Sequence, residues 1–114
     1  MKMLVVLGLL TVFSAWRLPG IGVASQGKPE RTTAQVFNKH CSSCHGKDGR
    51  AKTWKSRVRY HARDLTESVW QSSVTDERIF NSVFNGRGKM PAFGKKLSQN
   101  DVDALVKYVR AFRS

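Results

Sequence analysis

Cys41 and Cys44 stand three apart in the stretch "HCSSCHGKDG", with His40 just before the first and His45 just after the second. They are the two cysteines of the chain. Thiols at this spacing can close a disulfide, hold a metal, run redox chemistry or carry a covalently attached group. A structural zinc site needs four ligands, usually from a second Cys or His pair. Here His45 and His61 could join the two thiols, but the paired second arm is missing. A thioredoxin-like dithiol expects a βαβ setting, and no strand pattern is present. A disulfide across two intervening residues would staple very little chain.

Cys41-Ser42-Ser43-Cys44-His45 reads differently as a whole, because C-x-x-C-H is the attachment sequence of a c-type haem. Each thiol adds to one vinyl group of the porphyrin, and the adjoining histidine is carried beneath the ring to bind iron. Such an iron takes a neutral His or a Met as its sixth ligand, or leaves the place open. The candidates are Met90, His61 and His40. His40 is locked beside the attachment site and cannot easily reach the far face. Met90 lies in "GKMPAF", a Gly/Pro loop that suits a rigid ligand strap better than a core, and Pro91 fixes the backbone after it. Met90 is therefore the expected axial partner of His45, with His61 as the alternative.

The elements that must position these residues are helical. "TTAQVFNKHC" predicts a short helix capped by Thr32 or Thr33, with Val36 and Phe37 as its apolar surface and the glycines at 46 and 49 ending it. Residues 47–63 hold seven Lys/Arg against one acid, Asp48, and Trp54, Val58 and Tyr60 fall in no clean period. They read as a wrapping loop with at most a short helical turn. "DLTESVWQSSV" (64–74) predicts a short helix capped by Thr66 with Glu67 in its first turn. "TDERIFNSVFNG" (75–86) has Thr75 as N-cap, Asp76 and Glu77 at the positive end of the dipole, and an apolar stripe of Ile79, Phe80, Val83 and Phe84. Gly86 closes it. "SQNDVDALVKYVRAFRS" is the strongest helix. Ser98 and Asp101 form a capping box, and Val102, Leu105, Val106, Val109 and Phe112 share one face. Arg110 and Arg113 complement its C-terminus. The fold class is all-α.

The first 25 residues are set apart. Lys2 precedes an apolar run from Met3 to Trp16, followed by "LPG" and the small residues "GVAS". That order is a secretory signal peptide, with cleavage after Ala24 or Ser25. The run is shorter than the roughly 20 residues of a membrane span, although Arg17 is atypical and an uncleaved anchor is the alternative. Residues 26–114 then form the functional domain in an exported, periplasmic setting. A domain so short builds a limited core and relies on a staple or cofactor.

Net charge is +12, from 20 Lys/Arg and 8 Asp/Glu. The expected partners are anionic. Basic residues interleaved with aromatics can also bind nucleic acid, but no element pattern presents them, so nucleic acid is not expected. The acids sit mostly at helix starts, where capping accounts for them, and no acid–base pair suggests an enzyme.

From about residue 33 to the end the chain resembles a class I monohaem cytochrome c. The resemblance rests on "FNKHCSSCHGKDG", "ARDLT", "TDERIFNSVFNG", "GKMPAFGKKLS" and "DVDALVKYVRAF". It implies a compact fold in which the N- and C-terminal helices cross around one covalently bound haem c, with Phe37 and Tyr108 packed at the crossing. It implies Cys41 and Cys44 as thioether links and His45 and Met90 as axial iron ligands. The stretch 50–63 matches least, and Trp54 and His61 take no family role. A saturated iron points to outer-sphere electron transfer, a one-electron shuttle between respiratory partners. Arg87, Lys89, Lys95 and Lys96 flank the Met90 loop and would steer a monomer onto acidic faces of a membrane oxidase, reductase or another cytochrome. Weak association with a membrane surface fits the same charge. The alternative is a haem-based sensor or small-ligand binder with an open or labile site.

If the haem completes the core, replacing both Cys41 and Cys44 by Ala gives an unfolded or molten apoprotein. Near-UV circular dichroism and a thermal melt check this; a cooperative, native-like melt without haem contradicts it.

Overall fold

The computed structural model describes residues 30–113. The expected leader over 1–25 lies outside the described residues. Five α-helices follow in order: α1 (Thr33–His40), α2 (Ser42–His45), α3 (Ser68–Ser73), α4 (Asp76–Asn85) and α5 (Gln99–Arg110). A π-helical turn, Lys55–Arg59, lies between α2 and α3. Among the described residues there is no strand, and the one β-bridge joins Arg87 to Met90. The all-α expectation holds. No helix among the described residues is long and apolar enough to cross a membrane.

Local chemistry sets the start of each long helix. Thr32 caps α1: its Oγ1 accepts from the Gln35 N–H at 3.2 Å, and the Gln35 side chain accepts from the Thr32 N–H at 2.9 Å. Ser98 and Asp101 repeat this arrangement at α5, with bonds of 3.1 and 3.0 Å. The hydrogen bonds from Ser98 hold the Asp101 carboxyl below its usual range. Thr75 caps α4 through the Arg78 N–H, and Asp76 and Glu77 fill the first turn as expected. α1 stops at Cys41 instead of running on to the glycines, and α2 is a separate single turn.

The apolar stripes meet in one core. Val36 and Phe37 of α1, Ile79 and Val83 of α4, and Val102, Leu105, Val106 and Val109 of α5 are buried together with Leu65, Phe93 and Leu97. α1 crosses α5 through a three-ring cluster. The Phe37 ring lies 5.2 Å from both Tyr108 and Phe112, and those two rings are 5.2 Å apart and edge-on. This is the crossing that the resemblance implies. Phe80 and Phe84 stack at 5.5 Å on the flank of α4, half-buried.

Two local expectations are corrected. Thr66 does not cap the helix after it. Its N–H and hydroxyl both donate to Asp64 Oδ1, at 2.9 and 2.7 Å, in a side-chain turn that competes with capping. The helix begins at Ser68, so Glu67 is its N-cap residue, without a side-chain cap bond, and not part of the first turn. Arg110 stands in the last turn of α5 as expected, and its side chain also reaches other elements. Its guanidinium donates to the Gln71 and Val74 carbonyls at 2.6 and 2.7 Å and to Asp76 Oδ1 at 2.7 Å. One side chain of α5 thus satisfies the open carbonyl end of α3 and meets the acidic start of α4.

Gln71 completes this junction. It is 3% exposed, and its Nε2 donates to the Leu65 and Val109 carbonyls at 2.7 and 2.8 Å. Replacing Gln71 by Met keeps the bulk, removes the side-chain donor to the Leu65 and Val109 carbonyls, of which Val109 keeps the Phe112 N–H, and removes an acceptor of Arg110. The expected cost is about 2–4 kcal/mol, read as a lower denaturation midpoint with an unchanged denaturant slope. An unchanged midpoint would show that water or Arg110 takes over the bonds.

Candidate functional site

The end of α1 delivers the thiols. The Cys41 N–H closes the helix on the Phe37 carbonyl at 2.8 Å, and Ser42 Oγ donates to the Asn38 carbonyl at 2.7 Å, carrying the chain into α2. The His45 N–H then reaches the Cys41 carbonyl at 3.0 Å. Gly46 ends the turn with φ +77°, where a Cβ would come 2.9 Å from Asp48 Oδ1. Both thiols are free and half-buried. Burial, and secondly the neighbouring Cys44, push the Cys41 thiol up to about 11. Reactive redox pairs need a lowered thiol pKa, so this environment does not suit a thioredoxin-like role. Among the described residues no three His, Cys, Asp or Glu side chains gather as a metal-ion site, which removes support for the zinc reading.

His45 is oriented by the backbone. Its Nδ1 lies 2.9 Å from the Arg63 carbonyl. A carbonyl only accepts, so Nδ1 carries the proton and Nε2 keeps its lone pair. That is the tautomer a metal-ligating imidazole needs. Burial lowers the His45 pKa, and the bond to Arg63 opposes that shift. Both the tautomer and the neutral state favour ligation.

Met90 is held in a tight loop. Arg87 and Met90 exchange backbone bonds, N–H to carbonyl, at 3.0 and 2.9 Å. Gly86 makes this close approach: its φ is +78°, and a Cβ there would lie 2.8 Å from the Met90 carbonyl oxygen and the Ala92 nitrogen. Beyond Met90, the Phe93 and Gly94 N–H groups donate to the Val83 and Phe84 carbonyls at 2.9 and 3.0 Å. The strap is thereby fastened to the end of α4.

Cys41, Cys44, His45 and Met90 all line one cleft of about 840 Å³. Its volume falls in the range of cofactor sites. Trp70, Val74 and Phe93 supply apolar wall, and Arg63, Arg78, Arg87 and Lys89 supply charge. His40 and His61 line the same cleft. The four residues singled out from sequence are therefore brought together, and so are the two histidines set against them. Of the expected basic collar, Arg87 and Lys89 border the cleft. The Lys89 ammonium donates to the Arg59 carbonyl at 2.6 Å. Lys95 and Lys96 are exposed and do not line the cleft. Sequence reasoning missed Trp70, Arg78 and the Arg63 carbonyl. No residue type signals a backbone carbonyl; Trp70 had a signal, an aromatic in a short polar helix.

Two unbonded thiols, an imidazole with a free Nε2, a thioether and a cleft of cofactor size fit a covalently attached haem. Comparisons with known proteins agree. The family described as cytochrome C oxidase, cbb3-type, subunit III matches residues 28–109. Cytochrome c6 of Microcystis aeruginosa is 40% identical over 82 residues, covering 68% of this chain and 90% of that protein. The cbb3-type cytochrome c oxidase subunit FixP of Azorhizobium caulinodans is 34% identical over 77 residues, 67% of this chain. The chain spans about a quarter of the length of the FixP relatives it matches. Among solved structures, the KustC0563 c-type cytochrome superposes with a TM-score of 0.67 at 33% identity, over 74% of this chain and all of that one. The chain belongs to the cytochrome c family, in its cbb3-type and c6-like part. Its cofactor is a covalently bound haem c, the group on which members of this family carry electrons.

His40 gives the site's surroundings a pH signature. Its ring meets Phe93 at 5.6 Å. Burial first, then Lys39, Lys96 and Arg31, lower its pKa from the ordinary 6.5. The unfolded chain therefore binds this proton more readily than the folded one. The contribution to stability is present above 6.5 and is lost as pH falls through the lowered value. Chemical unfolding of the holoprotein at pH about 7.5 and about 5.5 should show a decline that is smaller in His40→Gln. Equal declines in both proteins would remove His40 as a source.

Proposed function

We propose that this protein is an exported electron carrier whose haem c is held by Cys41 and Cys44 as thioethers and by His45 and Met90 as axial ligands. The observation that carries the proposal is the convergence of these four side chains on one cleft, with the His45 Nδ1 proton committed to Arg63. Bound there, haem c supplies a one-electron iron couple of raised potential, since Met–His ligation raises it. The chain's own part is positional. Cys41 and Cys44 fix the group to the α1–α2 corner. The Arg63 carbonyl keeps the imidazole from turning. Gly86 and the Arg87–Met90 pair keep the thioether at the cleft, and the ties to Val83 and Phe84 limit its travel. The apolar walls of Trp70, Val74 and Phe93 exclude water around it.

Arg63, Arg78, Arg87 and Lys89 present positive charge where the cleft opens. This supports encounter with acidic faces of redox partners, such as a membrane oxidase, a reductase or another cytochrome. Such encounters are small and short-lived, and a monomer in the periplasm suits them. The apolar stretch 3–16 supports export.

Met90→Ala tests the ligand set. The oxidised wild-type protein should show the weak far-red band of Met–Fe(III) ligation. The variant should lose it, and its potential should fall while the fold and the attached haem persist. A band absent from the wild type would place His61, or an open and ligand-binding iron, in the sixth position and turn the function toward sensing. A rate of electron transfer to a membrane oxidase that stays flat from low to high salt would overturn the steering by the rim.

A further inference from the structure

The segment 47–63 is the most basic of the chain; within it 50–63 is the part that least resembles the family, and the site above uses only its far end. Its centre is the π-helical turn Lys55–Arg59. The inner side of this turn is pinned. Ser56 is buried, its Oγ lies 2.6 Å from Thr53 Oγ1, and its carbonyl accepts from the Ala62 N–H at 2.9 Å. Arg57 Nε donates to the Ala51 carbonyl at 3.2 Å. Ala51, itself buried, takes a left-handed backbone with φ +47°.

The outer side is unusual. Trp54 is 73% exposed and Val58 51% exposed, and they stand one turn apart. Trp54 makes no ring contact with any described residue. Lys52, Lys55 and Arg59 are exposed neighbours in sequence, and the Lys55 ammonium and Arg59 guanidinium lie 5.7 and 6.0 Å from the centre of the Tyr60 ring. The one acid of the segment, Asp48, already faces Lys52 at 3.5 Å. A large amphipathic ring thus stands exposed on a strongly basic turn.

We infer that this turn is a membrane-docking wedge: Trp54 and Val58 enter the headgroup boundary of an anionic bilayer while the surrounding bases meet lipid phosphates. Trp prefers that boundary because its ring is apolar at one end and polar at the other. Each base near an anionic leaflet adds to the attraction. Trp54 and Val58 protrude side by side in a basic segment, a combination that suits an anionic lipid surface. The apolar stretch 3–16 also brings the chain to a membrane during export or holds it there. Docking so would set the cleft beside the lipid, because Tyr60 and His61 line it and Lys89 is bonded to Arg59. The wedge adjoins the charged rim through the Lys89–Arg59 bond, and it does not depend on which residue is the sixth ligand.

The test uses the exported holoprotein and vesicles of phosphatidylcholine, alone or with about a third of the lipid as phosphatidylglycerol. Binding is read as haem absorbance in the sedimented fraction. Binding to the anionic vesicles only is expected. Trp54→Ala should weaken it by about tenfold, and Lys55→Gln with Arg59→Gln by about thirtyfold at low salt. Lys39→Gln with Lys107→Gln, exposed bases on α1 and α5, should weaken it far less. An unchanged haem spectrum certifies each fold, and the charge pair decides should Trp54→Ala fail to fold. Equal binding to both vesicle types, or wild-type affinity in the Trp54 and charge variants, overturns the proposal. So does Trp54-dependent binding to polyglutamate or polyuridylate with none to vesicles.

Discussion

His45 is held by one bond, from Nδ1 to the Arg63 carbonyl, and the intervening chain is arranged so that this bond can form. The loop leaves α2 through Gly46 and must come back eighteen residues later. Its return is fixed by backbone bonds: Ala51 N–H to the His45 carbonyl at 2.8 Å and Leu65 N–H to the Gly49 carbonyl at 2.8 Å. Gly49 lies against the Phe112 ring, where a Cβ would sit 3.1 Å away. The loop that orients the imidazole is therefore packed on the same ring that meets Phe37 of α1. A disturbance at the α1–α5 crossing would reach His45 through Gly49 without touching the cleft.

The core beside this loop is small. Eleven buried apolar side chains form it; one of them, Phe93, and several of their neighbours, Cys41, Trp70, Val74 and Met90, line the cleft. Core and cleft thus share walls. Loss of whatever fills the cleft would expose the apolar surface that also supports the helix packing. The polar junction of Gln71 and Arg110 works on the opposite logic. It gathers carbonyls from three parts of the chain onto two side chains and leaves no buried side-chain polar atom unpartnered among the described residues.

Features set by neighbours in sequence were legible. The caps at Thr75 and Ser98 and the stripes of α4 and α5 follow from spacing alone, and so does the Cys-Cys-His motif, whose parts share one corner; at α1 spacing left Thr32 and Thr33 open, and Thr32 is the cap. Features set by distant contacts were not. Thr66 has the right residue type for a cap, but the helix starts one residue later, with Glu67 in the cap position, while Thr66 turns back to Asp64. Arg110 reads as a complement to its own dipole, yet the carbonyls that claim it belong to α3. The π-helical turn has no periodic signal because hydrogen bonds to Thr53 and Ala62 shape it. The convergence of Met90 with His45 was legible through the resemblance and the Gly/Pro context. The carbonyl of Arg63 was invisible, since any residue type supplies one.

The crossing of α1 and α5 joins the first and last described helices. Cys41 and Cys44 follow α1 directly, while Tyr108 and Phe112 lie in and just after α5. Local sequence sets the two thiols side by side on a single turn. The seating of α5 against α1 anchors that turn to the rest of the molecule. The attachment motif is local, and the frame that holds it is not.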